Sequence, residues 1–186
     1  MITELRYLWF TFALAVSCGN ALAETHCKPD EMEYFSCKIK NSPKIVSLCG
    51  DVFVRNIDNA IEWGKDGPKV REDAWLQYRF GKPGKLELVY PTDTKDSLRK
   101  FKAEYDRHNR GFDATISFVN GGFTYVLAIL EGAELEKDYF YGIMLAPVNN
   151  NAHVKPATRL SCQNSPGGSS FFDLTMKLDP NKIGQD

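Results

Sequence analysis

The chain has 186 residues, of which 43% are hydrophobic, 12% aromatic and 25% charged, the mixture of one globular domain with a substantial core. A formal charge of -1 with no acidic or basic block excludes a nucleic-acid footprint and a polybasic membrane patch. The 14 Gly and 9 Pro are scattered among plentiful Leu, Ile, Val and Phe, without internal repeats, which excludes collagen-like, low-complexity and disordered classes.

Residues 1–23 read as a secretory signal: Arg6 gives a positive start, residues 7–16 (YLWFTFALAV) an unbroken apolar run, and Ala21 and Ala23 a small-residue cleavage site. That run is about half the roughly twenty apolar residues a membrane-spanning helix needs, so no transmembrane segment is expected. Residues 15–18 (AVSC) also resemble a site at which a bacterial lipoprotein is cut and acylated on its cysteine, which would make Cys18 a lipid anchor. Cleavage after Ala23 is favoured, because Ala15 stands where Leu is usual and the AlaXaaAla site follows. The expected mature chain, residues 24–186, is a single disulfide-stapled β domain, periplasmic or secreted from a bacterium.

Four cysteines remain: Cys27, Cys37, Cys49 and Cys162. An even count in an exported chain signals two structural disulfides, and the absence of any CxxC spacing argues against a metal site. Three connectivities are possible. Pairing Cys27 with Cys37 and Cys49 with Cys162 is expected, since it would pin the N-terminal segment and tie the last third of the chain to the first hairpin.

From residue 34 onward the pattern has period two. Residues 34–39 and 44–49 flank Asn41-Ser42-Pro43 and suit a hairpin in which Cys49 falls opposite Phe35, Ile45 falls opposite Ile39, and both Cys37 and Cys49 point inward. Residues 53–73 then form a charged excursion containing Trp63. Residues 75–80 and 85–90 alternate about the turn residues 81–84, with Leu76, Tyr78 and Phe80 on one face. Leu98, Phe101 and Tyr105 recur at helical spacing, so residues 97–106 predict a short surface helix. The Asn120-Gly121-Gly122 turn joins residues 114–119 to 123–130, because glycine supplies the positive φ of a tight turn. Residues 139–146 and 158–162 complete eight predicted strands. The expected fold is all-β and mainly antiparallel, a meander closed as a small barrel or folded as a sandwich, with one short helix.

The three histidines His26, His108 and His153 are far apart in sequence, and no nucleophile elbow, metal-protease motif, P-loop or dinucleotide fingerprint occurs. No catalytic residue, metal ligand or cofactor is assigned. Carboxylates such as Asp73, Glu131 and Asp138 are the raw material for a hydrolase. An unfilled barrel lumen would suit an apolar ligand. Partner-binding candidates are Trp63 in the charged excursion and Arg99, Phe101, Tyr105 and Arg107 in the basic segment, which combine aromatic anchors with a local positive excess.

The string of Phe35-Ser36-Cys37, residues 44–49 (KIVSLC), residues 76–81 (LQYRFG), residues 87–91 (ELVYP) and residues 117–122 (SFVNGG) resembles an uncharacterised family of small exported proteobacterial proteins. That resemblance implies a bacterial envelope location and no reaction. Residues 121–125 (GGFTY) bear a weaker likeness to a loop of bacterial lysozyme inhibitors, which are small exported β-barrels with disulfides, but they lack that loop's serine. Export, disulfides, a β scaffold and long loops together lead to an expected function: a non-catalytic envelope protein that binds another protein, as an inhibitor or immunity factor against a cell-wall- or membrane-acting enzyme. The alternatives are a carboxylate hydrolase and an apolar-ligand barrel.

Overall fold

Period-two patterning carries most of the chain into two antiparallel sheets packed face to face. The structure, a computed structural model, describes residues 25–132, 139–148, 158–166 and 170–179, so the expected signal segment with Cys18 and Ala23, as well as Asp138 and His153, lie outside the described residues. β1 (Met32–Lys38) and β2 (Ile45–Phe53) form the first hairpin, β3 (Trp63–Gly64) and β4 (Gly67–Pro68) a small one inside the charged excursion, and β5 (Val70–Lys82) and β6 (Lys85–Tyr90) the next. The first sheet runs β1-β2-β5-β6. β7 (Lys102–His108), β8 (Gly111–Asn120), β9 (Phe123–Glu131), β10 (Phe140–Pro147) and β11 (Thr158–Ser161) form a second sheet in the order β11-β10-β9-β8-β7, followed by helix α1 (Ser170–Leu178).

The mainly antiparallel β fold is as the patterning predicts, and all eight predicted strands are present. β3, β4 and β7 bring the total among the described residues to eleven. The arrangement is a sandwich. Among the described residues β6 and β7 do not pair, so the sheets do not close into a barrel. Between them, Phe118 stacks on Tyr90 at 4.5 Å and on Tyr125 at 4.9 Å between centroids, and Tyr78 reaches it from the opposite sheet at 4.9 Å. Leu48, Leu76, Ile116 and Leu127 fill the same layer, each fully buried.

The first hairpin departs from its expected register by one residue. Phe35 faces Leu48 and Cys37 faces Val46, with a bulge between Glu33 and Phe35. Side chains alternate along a strand, so this offset sends Cys37 into the intersheet core and Cys49 to the opposite face. The connectivity expected from sequence is corrected accordingly: Cys37 bonds Cys162, and Cys49 bonds Cys27. The Cys37–Cys162 bond sits at a corner where the sheets meet. There Ile39 bridges to Cys162, the Lys40 N–H donates to the Ser161 carbonyl at 2.8 Å and the Gln163 N–H to the Lys38 carbonyl at 2.8 Å.

The Cys27–Cys49 bond fastens residues 25–31 as a strap over the outer face of the first sheet. That face carries the buried polar side chains Ser36, Ser47, Gln77 and Arg79; the strap bonds Ser47 and Arg79, while Ser36 bonds Ser47 and Gln77 donates to the Pro91 carbonyl at 2.9 Å. The His26 N–H donates to Ser47 Oγ at 2.9 Å, and Arg79 Nη1 donates to the His26 carbonyl at 2.8 Å. Arg79 also forms a two-pronged ion pair with Glu31, and its Nε donates to Gln77 Oε1 at 2.8 Å.

The expected helix over residues 97–106 is a single 3₁₀ turn, Ser97–Lys100, followed by strand β7. Ala103, Tyr105 and Arg107 alternate with Lys102, Glu104 and Asp106, so the segment carries period two as well as helical spacing. Pairing with β8 along Lys102–His108 decides between them. Asp96, just before the turn, adopts φ 52° and makes no side-chain capping bond.

Two outcomes follow. Glu31→Gln leaves the buried Arg79 guanidinium without its counter-charge, and urea unfolding should report a loss of about 3 kcal/mol. Burial raises the Glu31 carboxyl pKa, but the Arg79 and Lys28 hydrogen bonds and the Arg79 charge outweigh it and hold the group below its ordinary value near 4.5. The carboxylate's contribution is therefore complete above that pH and lost as pH falls through the lower native value, so the gap between wild type and Glu31→Gln should narrow in acid. The Cys37–Cys162 bond spans 125 residues and Cys27–Cys49 spans 22. Replacing the first pair by serine should accordingly cost about 1.5 kcal/mol more than replacing the second, measured by calorimetry.

Candidate functional site

The charged excursion between β2 and β5 folds back on itself as an ordered extension. The Val54 N–H donates to the Lys69 carbonyl, the Glu62 N–H to the Val54 carbonyl and the Lys69 N–H to the Glu62 carbonyl, all at 2.8–2.9 Å. This ladder ends in the β3–β4 hairpin, where Trp63 pairs with Pro68 and Lys65 and Asp66 form the turn. Trp63 remains 59% exposed.

Helix α1 stands opposite. Phe171, Leu174 and Leu178 recur at helical spacing, and the first two are fully buried. The Phe171 ring meets Phe35 at 5.4 Å and the Phe172 ring meets Phe112 at 4.8 Å, so the helix joins the two sheets. Asp179, buried just past its end, accepts a hydrogen bond from the Tyr105 N–H at 3.1 Å. Helix α1 thus occupies the edge of β7 where another strand would otherwise pair.

Between hairpin and helix lies a groove of about 470 Å³. Trp63, Lys65 and Asp66 line one wall, Asp173, Met176 and Lys177 the other, and Tyr105 also lines it. The charges beside it are paired: Lys69 with Glu62 at 3.0 Å, Arg71 with Asp73 at 2.9 Å and with Asp51 at 3.3 Å. Lys65, Asp66, Asp173 and Lys177 make no ion pair or side-chain hydrogen bond among the described residues. Burial pushes the Asp173 carboxyl pKa up, without a cation to offset it.

Of the residues singled out in the sequence, the fold brings Trp63 and Tyr105 together in this groove. It does not gather the rest. Arg107 is exposed further along β7 and Arg99 is exposed on the 3₁₀ turn, and neither lines the groove. Phe101, expected as a surface anchor, is 5% exposed and packs edge-on against Phe118 and Tyr90, inside the core. Asp73 lies on β5 with Arg71, whereas Glu131 lies on β9 and accepts a hydrogen bond from the Tyr141 hydroxyl at 2.7 Å. Burial and that carboxylate push the Tyr141 hydroxyl up to about 12. His26 belongs to the strap, and His108 lies 3.5 Å from Asp113. The Cys27 and Cys49 sulfurs lie near the Glu31 carboxylate but, bonded to each other, offer no thiolate.

A second feature escaped the sequence reading. At the β8–β9 turn, Gly121 and Gly122 take φ 57° and 79°, the two positive values of a two-residue hairpin loop closed by Asn120 and Phe123. The Val148 N–H donates to the Gly122 carbonyl at 3.0 Å and braces the tip from β10's end. Val119, Phe123 and Val148 project there, 51%, 42% and 47% exposed. No charged residue occurs in 114–130 or 140–148. The signal was present in sequence as an apolar residue on each side of a glycine turn, but an exposed hydrophobe is indistinguishable from a core one until the strand ends are known.

Asp179→Ala should cost about 2 kcal/mol, because it strands the Tyr105 N–H and frees the helix end; faster amide exchange at Tyr105 checks the mechanism. Compared with protein-family models, curated proteins and solved structures, the chain finds no match.

Proposed function

We propose that this is an exported, non-catalytic binding protein that acts as an inhibitor or immunity factor, neutralising a cell-wall- or membrane-acting enzyme by docking onto it. The observation that carries this reading is the β8–β9 hairpin tip: convex, free of charge and flanked by three half-exposed apolar side chains. A convex apolar element is complementary to a concave site, and the active-site cleft of an enzyme is such a surface. The tip is held by its two-residue turn and by the bond from Val148, so little conformational freedom is lost when it docks. Two disulfides and the signal-like start of the chain support an oxidising, extracytoplasmic setting. No helix among the described residues is long and apolar enough to cross a membrane.

The test is capture of partners by the oxidised protein, from residue 24 onward, out of periplasmic and culture-supernatant extracts, with bound species identified by mass spectrometry and assayed. A stoichiometric enzyme whose activity falls on binding is expected. Phe123→Ser and Val119→Ser should each weaken its capture about tenfold or more, with the thermal midpoint shifted by only a few degrees. Capture that both substitutions leave unchanged would remove the tip from the interface.

A further inference from the structure

We propose that the groove between the β3–β4 hairpin and helix α1 is a binding site for a short neutral saccharide, separate from the protein-docking tip. Its composition argues for this class. Trp63 and Tyr105 supply aromatic surface, and the exposed indole offers a flat face on which the C–H face of a pyranose ring can lie. Around the aromatics stand two acceptors, Asp66 and Asp173, and two donors, Lys65 and Lys177. Their charges cancel, so no net field selects an anion or a cation.

The neighbouring charges sharpen the point. Glu62, Lys69, Arg71 and Asp73 satisfy one another outside the groove, whereas the four that line it have no partner among the described residues. A polyhydroxylated ring presents donors and acceptors together and is complementary to such a set. A volume of about 470 Å³ accommodates one or two sugar rings. The four polar groups come in opposite-sign pairs, one pair on the hairpin and one on the helix, so a ligand lying along the groove meets a donor and an acceptor on each side.

The experiment titrates the oxidised protein with chitotriose and, in a parallel arm, with maltotriose, following backbone amide and tryptophan indole resonances by NMR. Purified peptidoglycan is tested by co-sedimentation. A saturable shift of the Trp63 indole and of amides around Asp173 is expected with at least one trisaccharide at concentrations up to the order of 10 mM. A response to chitotriose with peptidoglycan co-sedimentation assigns an N-acetylated wall glycan; a response to maltotriose alone assigns a plain glucan. Trp63→Ala should weaken binding about tenfold or more. Asp173→Ala, which leaves the aromatic wall in place, should also weaken it, while Ile57→Ser on the exposed loop should not. The proposal is overturned by the absence of a saturable shift with either trisaccharide, by binding that survives Trp63→Ala, or by a stronger response to a sulfated oligosaccharide, which would mark Lys65 and Lys177 as an anion site. No protein partner enters this experiment, so its failure leaves the hairpin-tip reading standing.

Discussion

The register of β1 on β2 is the constraint on which the rest of this molecule depends. The pairing next to the turn, with Lys38 facing Ile45 and Cys37 facing Val46, decides that Cys37 faces the second sheet and Cys49 faces away from it. From the first follows the covalent corner at Cys162, which fixes how the sheets meet. From the second follows the strap, without which Ser47, Gln77 and Arg79 would form a polar outer face open to water. Shifting the hairpin by one residue would turn Phe35 and Cys37 away from the core that Val46 and Leu48 face and break the corner bond to Cys162, a cost large enough to make the register unique.

The strands were legible because each carries a one-sided apolar alternation that burial rewards. Leu76 and Tyr78 sit in the core on the face where the pattern puts them. Three features were missed. The length of the first turn has no plain sequence mark, so Cys49 was placed opposite Phe35 where Leu48 stands, and the expected cysteine pairing came out exchanged. Residues 102–108 satisfy two periods at once, and only the presence of β8 beside them selects the strand. Helix α1 could have been read from Phe171, Leu174 and Leu178, whose spacing is plainly helical. The groove is a different matter, since it joins Trp63, Tyr105 and Asp173 from three distant stretches, and nothing local in any of them announces the others.

Of the two surfaces proposed to bind, one is built on an edge that the fold has had to manage. The free side of β7 is closed by α1 and Asp179, and the groove is the gap that remains between this closure and the folded-back excursion. The β8–β9 tip, by contrast, belongs to two central strands and is braced by the end of a third. One surface is therefore assembled from parts that only tertiary packing holds together, and the other from a continuous hydrogen-bonded ladder. That difference suits an adaptable pocket in the first case and a rigid wedge in the second.

The two disulfides also give the molecule an unequal response to mechanical load. Their loops overlap, running from Cys27 to Cys49 and from Cys37 to Cys162, and together they enclose every described strand in covalent rings. Helix α1 is the one described element outside them. A pull on the C-terminal end would meet no covalent shortcut until it reached Cys162, so α1 would peel from β7 and Phe35 while the sandwich stayed whole. The wall of the groove that carries Asp173, Met176 and Lys177 is thus the part of the domain that tension dismantles first, and anything held between it and Trp63 would be released before the protein unfolds.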